Sequence, residues 1–369
     1  MKKIIAILVF MIGVACCYAQ PFPLDYSYVG YHMSQQPIPN ADVKVYVGWH
    51  AGDQSSRIQK AIDYVASLKP DKKTGLRGAI LLGKGRFELS EPLRINTSGV
   101  VIRGTQKGET FLLKKGVDRG AVVYIEGKAN RTITDTIHGN ARKGDDVIVV
   151  RKSTQKWINL MKCGNFGGGL DLGYWGWHPG EADLEFTRKI ADVVNGQQTF
   201  DAPLPISYDK DCIMLRYNWS GRIENSGIEN ITIESDYNKS YPKDEDHAWN
   251  GVYLANAKDC WVRMINFMHL SGSAVVIQRS GSQITVEDCK SLAPVSEIGG
   301  YRRRTFLTFG EKCLFQRLYS EHGINDFAAD YIAAGPNAFV QCDSYESLGF
   351  SGSVGSFASG LLFDDVNID

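Results

Sequence analysis

A few stretches of this chain concentrate the side chains that acid–base chemistry needs. "GGYRRRTF" (299–306) sets Tyr301 beside Arg302, Arg303 and Arg304, although Lys+Arg and Asp+Glu balance at 41 each over 369 residues. "SEHGINDF" (320–327) carries Glu321, His322 and Asp326, and "DEDHAWN" (244–250) carries His247 and Trp249. Glu297 lies in "SEIGG" (296–300), and Trp175 and Trp177 lie in "GYWGWHPG" (173–180). Acids, bases and fixed cations of this kind suit polysaccharide cleavage. A lyase needs a base for the proton beside a uronate carboxyl and a cation to neutralise that carboxylate. A glycosidase needs two carboxylates flanking the scissile bond. In such a site Asp326, His322 and Glu321 would exchange protons and Arg303 would supply the cation. Tyr301, Arg302, Arg304, Glu297, His247, Trp249, Trp175 and Trp177 would hold the sugar. Each also has a plainer reading. The arginines alternate across a strand start, so some would form salt bridges. His322 and Asp326 could serve a loop or turn, His247 and Trp249 could pack a long loop, and the tryptophans could cover an apolar patch.

The elements that would position these residues repeat. "ITIESD", "CWVRMI", "ITVEDC", "CLFQRL", "NAFVQC" and "LLFDDV" share an apolar pattern at i, i+2 and i+5. The sets are Ile231/Ile233/Asp236, Cys260/Val262/Ile265, Ile284/Val286/Cys289, Cys313/Phe315/Leu318, Asn337/Phe339/Cys342 and Leu361/Phe363/Val366. The step of two is a strand alternation, and i+5 resumes the inside face after a bend. Short strands at a period in the twenties make a solenoid, and without a leucine–asparagine signature a right-handed parallel β-helix fits. Cys260 and Cys313 then share one interior slot, and Cys289 and Cys342 another. Each pair is two coils apart, about 9.6 Å, too far for a disulfide. The detours 237–250, 266–273, 290–304, 319–330 and 343–360 leave each coil at one place, so they should wall a single groove.

Upstream, "DQSSRIQKAIDYVASL" (53–68) is an amphipathic helix with Ile58, Ala61, Ile62 and Val65 on one face and Asp53 or Ser55 as cap. Together with the strand–turn–strand of 78–116, it resembles the pectate-lyase-like (pectin-lyase fold) β-helix superfamily over residues 50–126 and 222–369. The resemblance implies a barrel plugged by that helix and an all-β fold with a β-rich insertion at 127–221. The segment looks most like secreted members from saccharolytic Bacteroidetes. These carry His-Asp-Phe where this chain has Asn325-Asp326-Phe327, and Ser-Gly-Pro-His where it has "SGSVGSF" (351–357). Asp326, Phe327, Ser351 and Gly352 match, whereas the histidines do not.

"MKKIIAILVFMIGVACCYAQ" reads as a signal peptide ending at Ala19, with export of the single domain 20–369 to the periplasm, cell surface or medium. "GVACC" also resembles a lipobox, which would place a lipid on Cys16. No later segment reads as a membrane span. Net charge near zero argues against nucleic acid. Calcium is the cofactor this class admits, but no Asp cluster with ligand spacing marks a seat. The last coil, from Leu361, reads as cut short. The sequence therefore points to an exported β-helix that cleaves a polysaccharide or oligosaccharide, an acidic one given the arginines, by lyase or hydrolase chemistry. Its rivals are a non-catalytic glycan-binding or surface protein on the same fold, which the missing histidines favour, and a tailspike-like trimer.

Overall fold

The computed structural model describes residues 24–106, 108–166 and 176–369. The leader, Cys16 and Trp175 lie outside the described residues. Among those described, no helix is long and apolar enough to cross a membrane.

The chain coils into a parallel β-helix, and crossovers between parallel strands are right-handed almost without exception. Each full coil has three faces. On the first face, Val262 pairs with Val286, Val286 with Phe315, Phe315 with Phe339 and Phe339 with Phe363. On the second, Asn266 pairs with Lys290, Lys290 with Tyr319 and Tyr319 with Asp343. The third is a separate seven-stranded sheet built from Leu93–Ile95, Ala121–Glu126, Asn250–Ala255, Val275–Ile277, Phe306–Thr308, Phe327–Asp330 and Gly352–Val354.

Left-handed residues turn the first face into the second. Asn230, Met264, Asp288, Arg317, Gln341 and Asp365 all have φ between 52° and 59°. One such residue per coil bends the strand sharply enough for i+5 to point inward again. These corners correct the repeat at its first member. Ile231 pairs with Ile265, so the inward set of that coil is Ser226/Ile228/Ile231. Asp236, expected inside, is ion-paired with Lys115 and half exposed. The register slips because the segment between Ser235 and Asn250 makes this coil longer than those that follow, with Ile228 and Val262 34 residues apart.

The interior is apolar and stacked. Phe315 and Phe339 lie 4.7 Å apart at 17°, and Phe339 and Phe363 lie 5.0 Å apart at 12°. Each fully buried phenylalanine contributes roughly 1.5–3 kcal/mol relative to exposure. Cys260, Cys289, Cys313 and Cys342 are buried thiols in the same core. The helix Ser55–Ser67 closes the first coil, burying Ile58, Ala61, Ile62 and Val65. The N-cap position falls on Gln54 without a side-chain capping bond, rather than on Asp53 or Ser55; the Asp53 carboxylate just before it accepts from Ser55 N at 3.2 Å and Ser55 Oγ at 2.7 Å.

Two features wrap the solenoid. The arm before Val43 runs back across the first face. Gly30 N bonds Lys312 O, Tyr31 N bonds Thr285 Oγ1, His32 N bonds Asp259 Oδ1, and Ala41 O accepts from Arg103. The segment 127–221 forms a mostly antiparallel five-stranded sheet that includes Asn130–Thr136, Asp146–Arg151, Leu184–Val194 and Cys212–Ser220. One face packs Val147, Val149, Phe186 and Met214 against Ile332 and Ala334 of the coils. The buried Arg188 locks this contact, giving Glu311 Oε2 a 3.0 Å hydrogen bond and also bonding the Ala202, Pro203 and Gly335 carbonyls.

Candidate functional site

The loops that carry most of the sequence-expected residues do stack along one edge, where the second face turns into the third. Gly272 N bonds Trp249 O at 2.8 Å, Ala274 N bonds Thr305 O at 2.8 Å, Ile324 N bonds Arg303 O at 2.9 Å and Leu348 N bonds Gly323 O at 2.7 Å. On the outer side of this wall the Trp249 and Tyr301 rings stack, with centroids 5.4 Å apart and planes at 28°. Tyr301 is 59% exposed. Arg119 lies over Trp249 and Arg302 over Tyr301. Each guanidinium is already neutralised, Arg119 by Asp246 and Arg302 by Glu245. The Arg302 hydrogen bond holds Glu245 below the usual carboxylate range, against a smaller opposing effect of burial. Glu297 pairs with Lys243 at 3.0 Å.

Several expected groups are inside the wall rather than on it. Arg303 is buried, giving Nε to Ser296 Oγ at 3.0 Å and Nη2 to Ser296 O at 2.8 Å. Burial lowers its pKa. Asp326 is fully buried and accepts from Ser347 Oγ at 2.6 Å and from Ser320 Oγ. His247 is fully buried between Ser235 Oγ, 3.0 Å from Nδ1, and Ser271 Oγ, 2.8 Å from Nε2. As placed, none of the three can touch a ligand, because each is enclosed by the loop stack it supports. Arg304 is committed to Asp330. His322 takes a left-handed turn at the loop start, stacked with His269, Ala293 and Glu346, and its Nδ1 is 3.3 Å from Glu346. Glu321 accepts from Ala293 N and Tyr319 OH. Trp177 is buried in the inserted sheet's core, edge-on to Phe357, rather than open as a sugar platform.

The opposite ends of the third-face strands hold what the sequence did not reveal. A cleft of about 540 Å³ opens between those strands and the inserted sheet. Its walls include Glu126, Arg131, Glu185, Trp219, Arg222, Tyr253, Gln278 and Arg279. Glu126 ends the strand from which the insertion departs, and Arg222 follows the strand by which the chain returns. Antiparallel pairing sets Trp219 opposite Arg131. The Arg222 and Arg131 guanidinium carbons are 4.5 and 5.8 Å from the indole centroid. Arg131 pairs with Glu185 at 2.9 Å. Burial, then the charge of Glu126, raises the Tyr253 pKa. Tyr253 in turn packs against Tyr124, 5.4 Å away, and Arg94 lies 4.2 Å above Tyr124. Both flanks of the third face thus present aromatic rings bordered by guanidiniums, a surface suited to stacking a sugar ring and bonding its substituents.

Among the described residues, no group of three or more His, Cys, Asp and Glu side chains could hold a metal ion, so calcium has no assigned ligands. No family model matches the chain, and no curated protein matches it. Solved structures do. A Geobacillus virus E2 protein, ORF18, is 10% identical at a TM-score of 0.46, over 88% of this chain and 50% of its own. The tailspike protein of Pseudomonas phage LKA1 is 12% identical at 0.44, over 85% and 56%. The polygalacturonase of Erwinia carotovora is 13% identical at 0.41, over 90% and 73%. The chain spans about half the length of the two phage proteins. Likeness at this level carries no argument about chemistry, and the fold rests on the coil registers themselves.

Proposed function

We propose that this protein is a carbohydrate-active β-helix that binds a polysaccharide or oligosaccharide over the outer side of its third face. The observation that carries this reading is the Trp249–Tyr301 stack, an aromatic ledge of exposed Tyr301 on half-buried Trp249, bordered by Arg119, Arg302, Glu245 and Asp246. A pyranose presents an apolar face to such a ring and hydroxyls to the charged rim. Binding is favoured over cleavage at the loop wall, because Asp326 and Arg303 are enclosed and already hydrogen-bonded.

Cleavage is a second reading, and it belongs to the cleft. Glu126 and Glu185 both line it, and a pair of carboxylates is the minimum a glycosidase requires. One experiment addresses both readings. The protein is incubated with a panel of plant and microbial polysaccharides, and bound polymer, new reducing ends and unsaturated-uronate absorbance are followed together. Binding without new ends supports the first reading. New ends without that absorbance support hydrolysis, and new ends with it support a lyase. No binding to any polymer sinks the proposal.

A further inference from the structure

The charges in the cleft do not cancel as they do at the ledge. Arg131 is matched by Glu185. Glu311, which also lines the cleft, is taken by Arg188 and by the Thr187 N–H. That leaves Arg222 and Arg279 facing Glu126 alone, two cations against one carboxylate. Among the described residues neither arginine has an ion-pair partner. Arg222 bonds the Ala257 and Ser280 carbonyls through Nη2, while its buried Nε is unpartnered. Arg279 is exposed and lies 5.6 Å from the Tyr331 ring centroid. A guanidinium over an aromatic ring, with donors still unused, matches an oxyanion carried on a flat apolar body. The cleft volume, about 540 Å³, falls within the range of small-ligand sites.

We infer that the cleft between the inserted sheet and the third face is a separate seat for an anionic sugar, its carboxylate or sulfate held by Arg222 and Arg279 and its ring packed beside Trp219. The inference rests on the glycan reading for the ring alone. The charge preference comes from the unmatched arginines, and it lies some twenty ångströms from the ledge, the length of the strand Asn250–Ala255 that separates them. The ledge, with both guanidiniums paired, has no such preference. The anionic selectivity sought in Arg302–Arg304 therefore belongs to two arginines elsewhere in the sequence.

The test is calorimetric titration of the full chain with three oligosaccharides of equal length: a galacturonate oligomer, a sulfated galactose oligomer and the neutral galactose oligomer. At least one anionic oligomer should bind roughly tenfold or more tightly than the neutral one, and added salt should narrow the gap. The two anionic arms show whether carboxylate or sulfate is the better fit. Arg279→Gln should remove most of the preference with thermal unfolding unchanged, since Arg279 is exposed. Arg222→Gln should also reduce it, with some loss of stability because Arg222 is half-buried and bonds the Ala257 and Ser280 carbonyls. Equal binding of neutral and anionic oligomers overturns the inference and leaves the ledge reading standing. So does an anionic preference that survives both substitutions. Failure of all three oligomers to bind counts against this seat, while the glycan reading stands or falls with the polysaccharide panel.

Discussion

Arg303 reaches back seven residues in sequence to grip Ser296 twice, through Nε to the hydroxyl at 3.0 Å and through Nη2 to the carbonyl at 2.8 Å. The middle arginine of "RRR" is thus a buried brace of the 293–305 loop, while its neighbours make ion pairs at the rim. Arg303→Ala should cost about 1–3 kcal/mol in urea unfolding, because buried acceptors lose their donor. Arg302→Ala should cost clearly less, its pair with Glu245 being partly exposed. Equal effects of the two substitutions would contradict this division.

Arg188 and Glu311 tie the inserted sheet to the coils through a pair that is almost wholly buried. Arg188→Met should destabilise by about 3–5 kcal/mol, since it removes the hydrogen-bonded charge partner of buried Glu311 and leaves the Ala202, Pro203 and Gly335 carbonyls without their donor. Adding Glu311→Gln should recover part of that loss. Protease cleavage confined to 127–221 should appear in the single variant. A fully stable Arg188→Met protein would show that the two units do not depend on this pair.

The cysteines give a chemical count. Burial pushes the Cys260, Cys313 and Cys342 thiols up to about 12. Folded protein at pH 8 should therefore react with a thiol reagent barely or not at all at these positions. Unreduced protein in denaturant should yield all six of Cys163, Cys212, Cys260, Cys289, Cys313 and Cys342 as free thiols. A disulfide between any two of Cys260, Cys289, Cys313 and Cys342 in mass spectrometry would break the register on which the fold description rests.

Those slots were legible because a strand's two-residue alternation fixes which side chains point inward, and the cysteines obey it. The capping helix was legible for the same reason, through its apolar face. What escaped was non-local. Asn230, not the apolar pattern, sets the first corner, and a long loop in one coil moved that register by five residues. The direction of Arg303 depends on where Ser296 sits. The cleft depends on Trp219 pairing with Arg131, which are far apart in the chain and meet only when the inserted sheet closes.

Asp53 gives a pH dependence. Burial opposes its ionisation, but hydrogen bonds from Ser55 and Ser90 hold its pKa at about 2. The folded value lies below the unfolded one, near 3.9. The stability it contributes is therefore complete above about pH 4 and is lost as pH falls towards 2. Asp53→Asn should cost under about 1 kcal/mol at neutral pH and flatten that acid limb. An unchanged acid limb in the variant would remove Asp53 as its source.

The central claim is that a glycan lies on the outer side of the third face, and the most direct measurement is a binding titration of the best polymer from the panel against Trp249→Ala and Tyr301→Ala. Each substitution should weaken binding about five- to tenfold or more, as expected for loss of a stacking ring worth roughly 1–1.5 kcal/mol. The Tyr301→Ala midpoint should stay close to that of the unaltered protein, since Tyr301 is exposed, whereas Trp249→Ala should lose some stability because its half-buried indole also donates to Glu245 O. Unchanged affinity in both variants, with the polymer still bound, would place the glycan elsewhere and contradict the account.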